Sequence, residues 1–168
     1  MKNIILFGFM GTGKSAVGKK LAEKLRMKFV DMDDLIEARE KMTISAIFEK
    51  KGEPYFRKVE SEVAKDVAKE SGLVVATGGG VVLNYENVKT LESSGIGICL
   101  NASPETIHAR VKHERHRPLI AVENPEERIR QLLEYRKPFY TKVQHQVDTD
   151  FLTIDEIVEE VIKIVRAE

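Results

Sequence analysis

Hydrophobic positions along the chain follow two spacings. Short apolar runs rich in branched side chains predict strands at 3–7, 28–31, 73–76, 96–100 and 146–148. Between them lie longer segments with apolar residues every three or four positions, which predict helices. Strands that alternate with helices favour an α/β fold whose parallel sheet is covered on both faces.

Two predicted helices carry boundary signals. Thr153 and Glu156 have the spacing of a capping box, and a stripe of branched aliphatic residues follows them. Pro54 is typical of a first helical turn and predicts a helix that continues to about Glu70.

The turn after the first predicted strand carries the clearest functional signal. Residues 8–15 read GFMGTGKS, which fits the phosphate-binding pattern G-x-x-x-x-G-K-[ST]. Its glycines allow backbone N–H groups to surround phosphate oxygens, and a helix that begins at Lys14 adds the positive end of its dipole. Lys14 can reach the β- and γ-phosphates, and the Ser15 hydroxyl can bind Mg²⁺. The pattern predicts a nucleotide-phosphate site in preference to a chance glycine-rich turn.

Composition limits the remaining possibilities. The 168 residues suit one domain, and zero net charge argues against nucleic acid or a membrane surface as a partner. Cys99, the one cysteine, lies in an apolar run and is interpreted as a core residue of a protein from a reducing compartment. Because no apolar run has the length of a membrane span, we expect a cytoplasmic protein.

Acidic residues follow the second predicted strand, where the phosphate loop should be near. Asp31 and Asp33 would share one face if the backbone stayed extended. One carboxylate could hold a water on Mg²⁺, while the other could orient a substrate hydroxyl or accept its proton. Asp34 has an alternative role as the cap of the next helix.

Glycines and arginines supply further candidates. Gly78, Gly79 and Gly80 would let a ligand lie against the backbone, although a tight strand-to-helix turn is the alternative. Arg57 and Arg136 would form a fork for a carboxylate if they met at one pocket. Taken singly, each is an ordinary solvated arginine, and the sequence leaves their convergence open.

Two stretches fit the strand–helix alternation poorly. Residues 33–60 hold several helical patterns, and residues 112–124 are polar and interrupted by Pro118. Both are interpreted as insertions over the carboxyl ends of the strands, where open α/β sheets bind ligands. The second is basic and is interpreted as a lid, with a solvated surface loop as the alternative. The histidines in and near it lack the ligand spacing of a zinc site.

Six motifs in order resemble those of shikimate kinases over nearly the whole chain. They are the phosphate loop at 8–15, DMD at 31–33, GEPYFR at 52–57, TGGG at 77–80, RPL at 117–119, and Arg136 before Phe139-Tyr140. The resemblance implies a single P-loop kinase domain over 1–168, with three α/β/α layers and a five-stranded parallel sheet in the order 2-3-1-4-5. It further implies a helical substrate-binding insertion at about 33–60 and a lid at about 112–124.

The same resemblance implies an activity and its residues. ATP would phosphorylate the 3-hydroxyl of shikimate, giving shikimate 3-phosphate and ADP, a step of chorismate and aromatic amino-acid biosynthesis. Catalytic residues would be Lys14, Asp33 and Arg117. Shikimate would contact Asp33, Arg57, Gly78, Gly79, Gly80 and Arg136. ATP would contact Gly11, Thr12, Gly13, Lys14, Ser15, Ala16, Arg110 and Arg117. Mg²⁺, the implied cofactor, would bind Ser15 directly and Asp31 through water.

Supporting roles also follow from the resemblance. Glu60 would steady Arg57, Phe48 and Phe56 would form an apolar wall, and Arg110 would stack on adenine. The implied protein is a monomer that binds ATP and shikimate, with neither nucleic acid nor a membrane as a partner. The chain departs from the family pattern at 148–152, where the adenine loop often contains a proline that is lacking here.

Other functions share part of this pattern. A gluconate- or nucleotide-type kinase would have the phosphate loop and lid, without requiring Asp31, Asp33, Arg57 and Arg136 together. A regulatory nucleotide-binding module is disfavoured by the complete set of phosphate-loop and acidic residues. Nucleic-acid binding through residues 110–117 is disfavoured by zero net charge and the lack of an aromatic platform.

Overall fold

A computed structural model describes residues 1–112 and 123–168 of the chain. Its strands form one parallel sheet in the order β2-β3-β1-β4-β5, which confirms the predicted order. The strands are β1 (Asn3–Phe7), β2 (Lys28–Asp31), β3 (Leu73–Ala76), β4 (Gly95–Asn101) and β5 (His145–Asp148). The first three have the predicted ends, whereas β4 extends one residue further at each end and β5 begins one residue earlier.

Helices connect these strands, and a last helix follows β5. They are α1 (Lys14–Leu25), α2 (Met32–Glu40), α3 (Ile44–Lys51), α4 (Glu53–Ala68), α5 (Tyr85–Ser93), α6 (Pro104–Val111), α7 (Pro125–Tyr140) and α8 (Ile154–Ala167). The predicted capping box is present at the start of α8. The Thr153 hydroxyl accepts from the Glu156 N–H at 3.1 Å, and the Glu156 carboxylate accepts from the Thr153 N–H at 3.0 Å.

The alternation of side chains along β1 explains the three layers. Successive strand residues point to opposite faces of a sheet. Ile5 and Phe7 pack into an apolar cluster with residues of α2 to α7, whereas Ile4 and Leu6 pack with residues of α1 and α8. Both faces of the sheet are therefore buried, as the apolar strands predict.

Parallel pairing brings three loops to one edge of the sheet. Leu6 and Asp31 are both in register with Ala76, so the segments that follow β1, β2 and β3 emerge side by side. Thr77, the first residue after β3, binds strand β1, because its N–H and hydroxyl both donate to the Leu6 carbonyl at 3.1 and 2.9 Å. This edge holds the phosphate loop, the acidic residues and the glycine turn.

The predicted insertion forms α2, α3 and the first half of α4, so position 60 falls inside a helix. The predicted lid at 112–124 lies almost wholly outside the described residues. In residues 1–112 and 123–168, every helix is too short or too polar to cross a membrane.

Candidate active site

The phosphate loop depends on glycine backbone geometry. Gly11 and Gly13 have φ angles of 78° and 95°, a region that L side chains rarely adopt. A Cβ on Gly8 would lie 2.4 Å from the Leu100 carbonyl oxygen, so the loop also packs tightly against β4. Helix α1 begins at Lys14, as predicted, and its first-turn N–H groups lack carbonyl partners within the helix. The loop is therefore shaped to bind an anion.

Lys14 and Ser15 place their functional atoms at this loop. The Lys14 ammonium donates to the carbonyls of Gly8 and Phe9 at 2.6 and 2.9 Å. The Ser15 hydroxyl donates to Asp31 Oδ2 at 3.0 Å. A hydroxyl beside a carboxylate is an oxygen donor set of the kind that Mg²⁺ prefers, so the residues present fit this ion.

The acidic residues are arranged differently from the extended geometry considered above. Helix α2 begins at Met32, and Asp31 is its N-cap: Oδ1 accepts from the N–H groups of Asp33 and Asp34 at 2.9 and 3.3 Å. The alternative role of Asp34 as the cap is therefore wrong, because Asp31 already holds that position. Because the backbone enters the helix between them, the two side chains point in different directions. Asp31 faces Ser15, whereas Asp33 Oδ1 would lie 2.9 Å from a Cβ on Gly78.

The glycine turn at 78–80 lies against four charged side chains. An ideal Cβ on Gly78 would lie 2.9 Å from Asp33 Oδ1 and 3.1 Å from Glu60 Oε2. One on Gly79 would lie 3.6 Å from Arg136 Nη1. One on Gly80 would lie 2.5 Å from both terminal nitrogens of Arg57. Real Cβ atoms essentially never approach within 3.0 Å, so the absence of side chains at Gly78 and Gly80 allows this convergence.

The two arginines reach the turn from different helices and are not ordinary solvated arginines. Arg57 of α4 donates from Nη1 to Glu60 Oε1 at 3.0 Å, and the Glu60 side chain is 1% exposed. Arg136 of α7 is 4% exposed, and its guanidinium carbon lies 5.5 Å from the centre of the Phe9 ring. Glu60 Oε2 and Arg136 Nε are buried without a hydrogen-bond partner among the described residues, which is uncommon in native structures.

These groups line one cavity of about 380 Å³. Asp33, Arg57, Arg136 and the glycine turn supply polar groups, and the rings of Phe48 and Phe56 lie 4.8 Å apart in its apolar wall. The volume lies in the range of small-molecule sites. Sequence reasoning missed other lining residues: Met10, a variable position of the phosphate loop, and four residues outside every motif, Glu37, Thr43, Ile44 and Ser45.

Burial raises the pKa of Glu60 to about 7, although the neighbouring Arg57 guanidinium acts in the opposite direction. In the folded protein this carboxyl therefore keeps its proton at pH values where an ordinary glutamate has released it. Its ionisation near neutral pH places a second negative charge beside Asp33.

We expect Glu60 to make the free energy of unfolding fall as pH rises from about 4.5 to about 7, by roughly 3 kcal/mol at most. The folded state binds this proton more tightly than the unfolded chain, so the stabilising proton is lost as pH passes the raised pKa. Urea unfolding at several pH values, with wild type compared with Glu60→Gln, isolates this contribution. Glu62→Gln, on the same helix, is the matched control. An identical pH slope in wild type and Glu60→Gln would contradict the expectation.

Known proteins share both the sequence and this geometry. A family model for shikimate kinase matches residues 10–166. The chain belongs to the shikimate kinase family. It is 50% identical to the shikimate kinase of Thermoanaerobacter pseudethanolicus over 97% of this chain and 95% of that protein. It is 51% identical to the shikimate kinase of Thermodesulfovibrio yellowstonii over 97% of this chain and 94% of that protein.

A solved structure agrees with this membership. The shikimate kinase from Acinetobacter baumannii, in complex with shikimate, matches with a TM-score of 0.95 and 36% identity. The match covers 99% of this chain and 94% of that one. The three-layer P-loop kinase fold implied by the resemblance to shikimate kinases is therefore confirmed.

The resemblance to shikimate kinases implies contacts with ATP from residues beyond the phosphate loop. Arg110 donates from Nη1 to the Gly11 carbonyl at 3.0 Å, so it lies beside the phosphate loop. Arg117 lies outside the described residues. In the loop after β5, Asp150 Oδ1 accepts from the Ser103 N–H at 3.1 Å. The next residue, Phe151, is fully exposed, and its backbone φ angle is 65°.

Residues predicted to have other roles lie elsewhere. Cys99 is buried in β4, and burial raises the pKa of its thiol to about 12, which agrees with a core role. His145 contacts Glu168 at 2.5 Å, far along the chain from the phosphate loop, and His108 lies 3.8 Å from Glu126. Within residues 1–112 and 123–168, no three His, Cys, Asp or Glu side chains are grouped to hold a metal ion by themselves.

Proposed function

We propose that the protein transfers the γ-phosphoryl group of ATP to the 3-hydroxyl of shikimate, giving shikimate 3-phosphate and ADP. The observation that carries this proposal is the convergence of Asp33, Arg57 and Arg136 on one cavity at the edge of the sheet that holds the phosphate loop. Membership of the shikimate kinase family supports the reaction, and the Acinetobacter baumannii relative binds shikimate.

Charge and shape support a small acid with hydroxyl groups as the acceptor. Arg57 and Arg136 would bind the shikimate carboxylate, because guanidinium groups donate paired hydrogen bonds to carboxylates. Asp33 would accept hydrogen bonds from the hydroxyl groups, and the backbone at 78–80 would lie against the ring. The Phe48 and Phe56 rings would cover its apolar parts.

The phosphate loop would hold ATP beside this acceptor. Backbone N–H groups of residues 11–16 and the Lys14 ammonium would bind the β- and γ-phosphates. Ser15 would bind Mg²⁺ directly and Asp31 through water, and the bound ion would neutralise charge on the phosphate oxygens. Arg110 would stack on adenine, and Arg117 would contact the transferring phosphoryl group.

Positioning and electrostatics would supply most of the rate enhancement. Asp33 orients the attacking hydroxyl. As the new oxygen–phosphorus bond forms and the bond to ADP breaks, the hydroxyl proton leaves toward the Asp33 carboxylate or to water. Lys14 and Arg117 stabilise the negative charge that moves onto the peripheral and leaving oxygens.

The proposal also covers the cell compartment, the oligomeric state, the metal ion and the binding partners of the enzyme. We propose a cytoplasmic monomer that uses Mg²⁺ and binds neither nucleic acid nor membranes. Zero net charge supports the absence of nucleic-acid and membrane partners, and a buried cysteine without a disulfide supports the cytoplasm. The monomer is implied by the resemblance to shikimate kinases.

A coupled ADP-release assay tests the function. We expect Mg²⁺-dependent ADP release with shikimate, and little without an acceptor or with gluconate or a nucleoside monophosphate. ³¹P NMR of the product should show one phosphomonoester coupled to the C3 proton. ADP release that does not depend on shikimate, or that is faster with gluconate, would contradict the proposal.

Gly80→Ala should raise the KM for shikimate by about tenfold or more while the KM for ATP stays the same. Its new Cβ would lie 2.5 Å from both terminal nitrogens of Arg57, so the guanidinium must move away from its present position. Because that group is the flexible end of a long side chain, we expect the fold to survive. Steady-state kinetics and a thermal melt measure the two effects. Unchanged shikimate KM in a folded variant would show that this position of Arg57 is not needed.

A further inference from the structure

Two carboxylates of very different exposure hold Arg57. Glu60, 1% exposed, accepts from Nη1 at 3.0 Å. Glu53, 51% exposed, accepts with one oxygen from both Nε and Nη2, at 3.2 and 3.1 Å. The inner contact is covered by protein, whereas the outer contact is open to solvent.

Glu53 lies behind Arg57 as seen from the substrate cavity. It does not line that cavity, but lines a neighbouring one of about 530 Å³ with residues such as Lys58 and Asn84. Arg57, Glu60 and Gly80 line both cavities, so they form part of the wall between them. Glu53 would therefore affect a ligand in the substrate cavity only indirectly, through its contact with Arg57.

Counting the hydrogen bonds of the Arg57 guanidinium shows which of its N–H groups remain to bind a ligand. A guanidinium has five N–H groups, of which two are on each terminal nitrogen. Glu53 takes the Nε–H and one on Nη2, and Glu60 takes one on Nη1. Among the described residues, one N–H on Nη1 and one on Nη2 remain for a ligand carboxylate.

We infer that Glu53 is a positioning residue for substrate binding, which fixes the rotation of the Arg57 guanidinium from outside the cavity. The inference rests on the proposed function, in which Arg57 binds the shikimate carboxylate. An arginine already held by two acceptors loses less conformational freedom when it binds a third. Glu53 should therefore strengthen the binding of ligands that carry a carboxylate and leave neutral ligands unaffected.

Kinetics of Glu53→Ala test the inference. We expect a roughly fivefold rise in the KM for shikimate, near the upper end for a half-exposed ion pair. The value of kcat should stay within about twofold, because the carboxylate is bound equally in ground and transition states. Glu53→Gln keeps the acceptor oxygen and should restore KM to within about twofold of wild type.

The matched control is Glu62→Ala. Glu62 lies on the same helix, is 49% exposed and pairs with another arginine, Arg39, at 3.7 Å. Removing the Glu62 carboxylate should leave kcat and the KM for shikimate unchanged. Shikimate methyl ester supplies the second control, because Glu53→Ala should not change kcat/KM for this neutral substrate. An equal loss for acid and ester, or no loss beyond that of Glu62→Ala, would overturn the inference.

A substrate-free measurement separates this inference from the proposed function. In ¹⁵N NMR spectra, the Arg57 Nε–H should exchange slowly with water in wild type and Glu53→Gln, and rapidly in Glu53→Ala. If exchange behaves so while wild type fails to phosphorylate shikimate, the proposed function fails and the positioning of Arg57 stands. If wild type phosphorylates shikimate and exchange is the same in all variants, the positioning role alone is overturned.

Discussion

Lys14→Met should lower kcat by at least ~100-fold, as other losses of transition-state charge do. The Lys14 ammonium lies at the phosphate loop, within 2.9 Å of the Gly8 and Phe9 carbonyls. At this place a positive charge would stabilise the oxygens of the transferring phosphoryl group, and methionine keeps much of the side-chain length without the charge. Coupled ADP release at saturating ATP and shikimate measures the effect.

Lys20→Met is the matched control for this variant. Lys20 lies on the same helix, α1, but pairs with Asp155 at the surface, at 2.7 Å. We expect its kcat to stay within about twofold of wild type, because an exposed ion pair contributes little. Near-normal turnover in a folded Lys14→Met protein would contradict the role of Lys14.

Arg57→Ala and Arg136→Ala should each weaken shikimate binding by ~2–5 kcal/mol and leave ATP binding unchanged. Both guanidinium groups line the substrate cavity, and Arg136 is the more buried of the two. Removing either leaves a bound carboxylate without one of its charged partners. Isothermal titration calorimetry with each substrate separates the two affinities.

Arg130→Ala controls for the general loss of an arginine from helix α7. Arg130 is 47% exposed and pairs with Glu105 at 2.7 Å, outside the substrate cavity. Its shikimate affinity should match that of wild type. If Arg57→Ala and Arg136→Ala also bound shikimate as tightly as wild type, the proposed carboxylate site would be wrong.

Strands β1 and β3 were predictable because both of their faces are buried. In β1 and β3 every residue is buried, which gives continuous apolar runs with clear ends. The phosphate loop was predictable because its spacing is local and its glycines have a direct backbone role. The capping box of α8 is likewise a local interaction between Thr153 and Glu156.

The start of helix α2 directly after β2 explains why the extended geometry considered for Asp31 and Asp33 is wrong. The alternation rule for Asp31 and Asp33 holds only in an extended chain. Here the Asp31 carboxylate accepts from two backbone N–H groups and starts α2 at once. The two side chains still reach neighbouring parts of the site, but they point in different directions because the helix begins between them.

Convergence of the arginines depends on packing that no local pattern contains. Arg57 and Arg136 are 79 residues apart and meet because α4 and α7 both pack against the same face of the sheet. The spacing of Glu53 and Arg57 indicates a helical ion pair, but not that Glu53 lies outside the cavity. The lining residues from 37 to 45 lie in α2, in the turn that follows it and at the start of α3, a stretch without a motif.

A structure of the protein with shikimate and a non-hydrolysable ATP analogue tests the central claim most directly. We expect the shikimate carboxylate within hydrogen-bond distance of both Arg57 and Arg136, and its 3-hydroxyl hydrogen-bonded to Asp33. The 3-hydroxyl oxygen should lie about 3–3.5 Å from the γ-phosphorus, in line with the bond to be broken. A carboxylate bound away from both arginines, or a 3-hydroxyl directed away from the phosphate loop, would contradict the account.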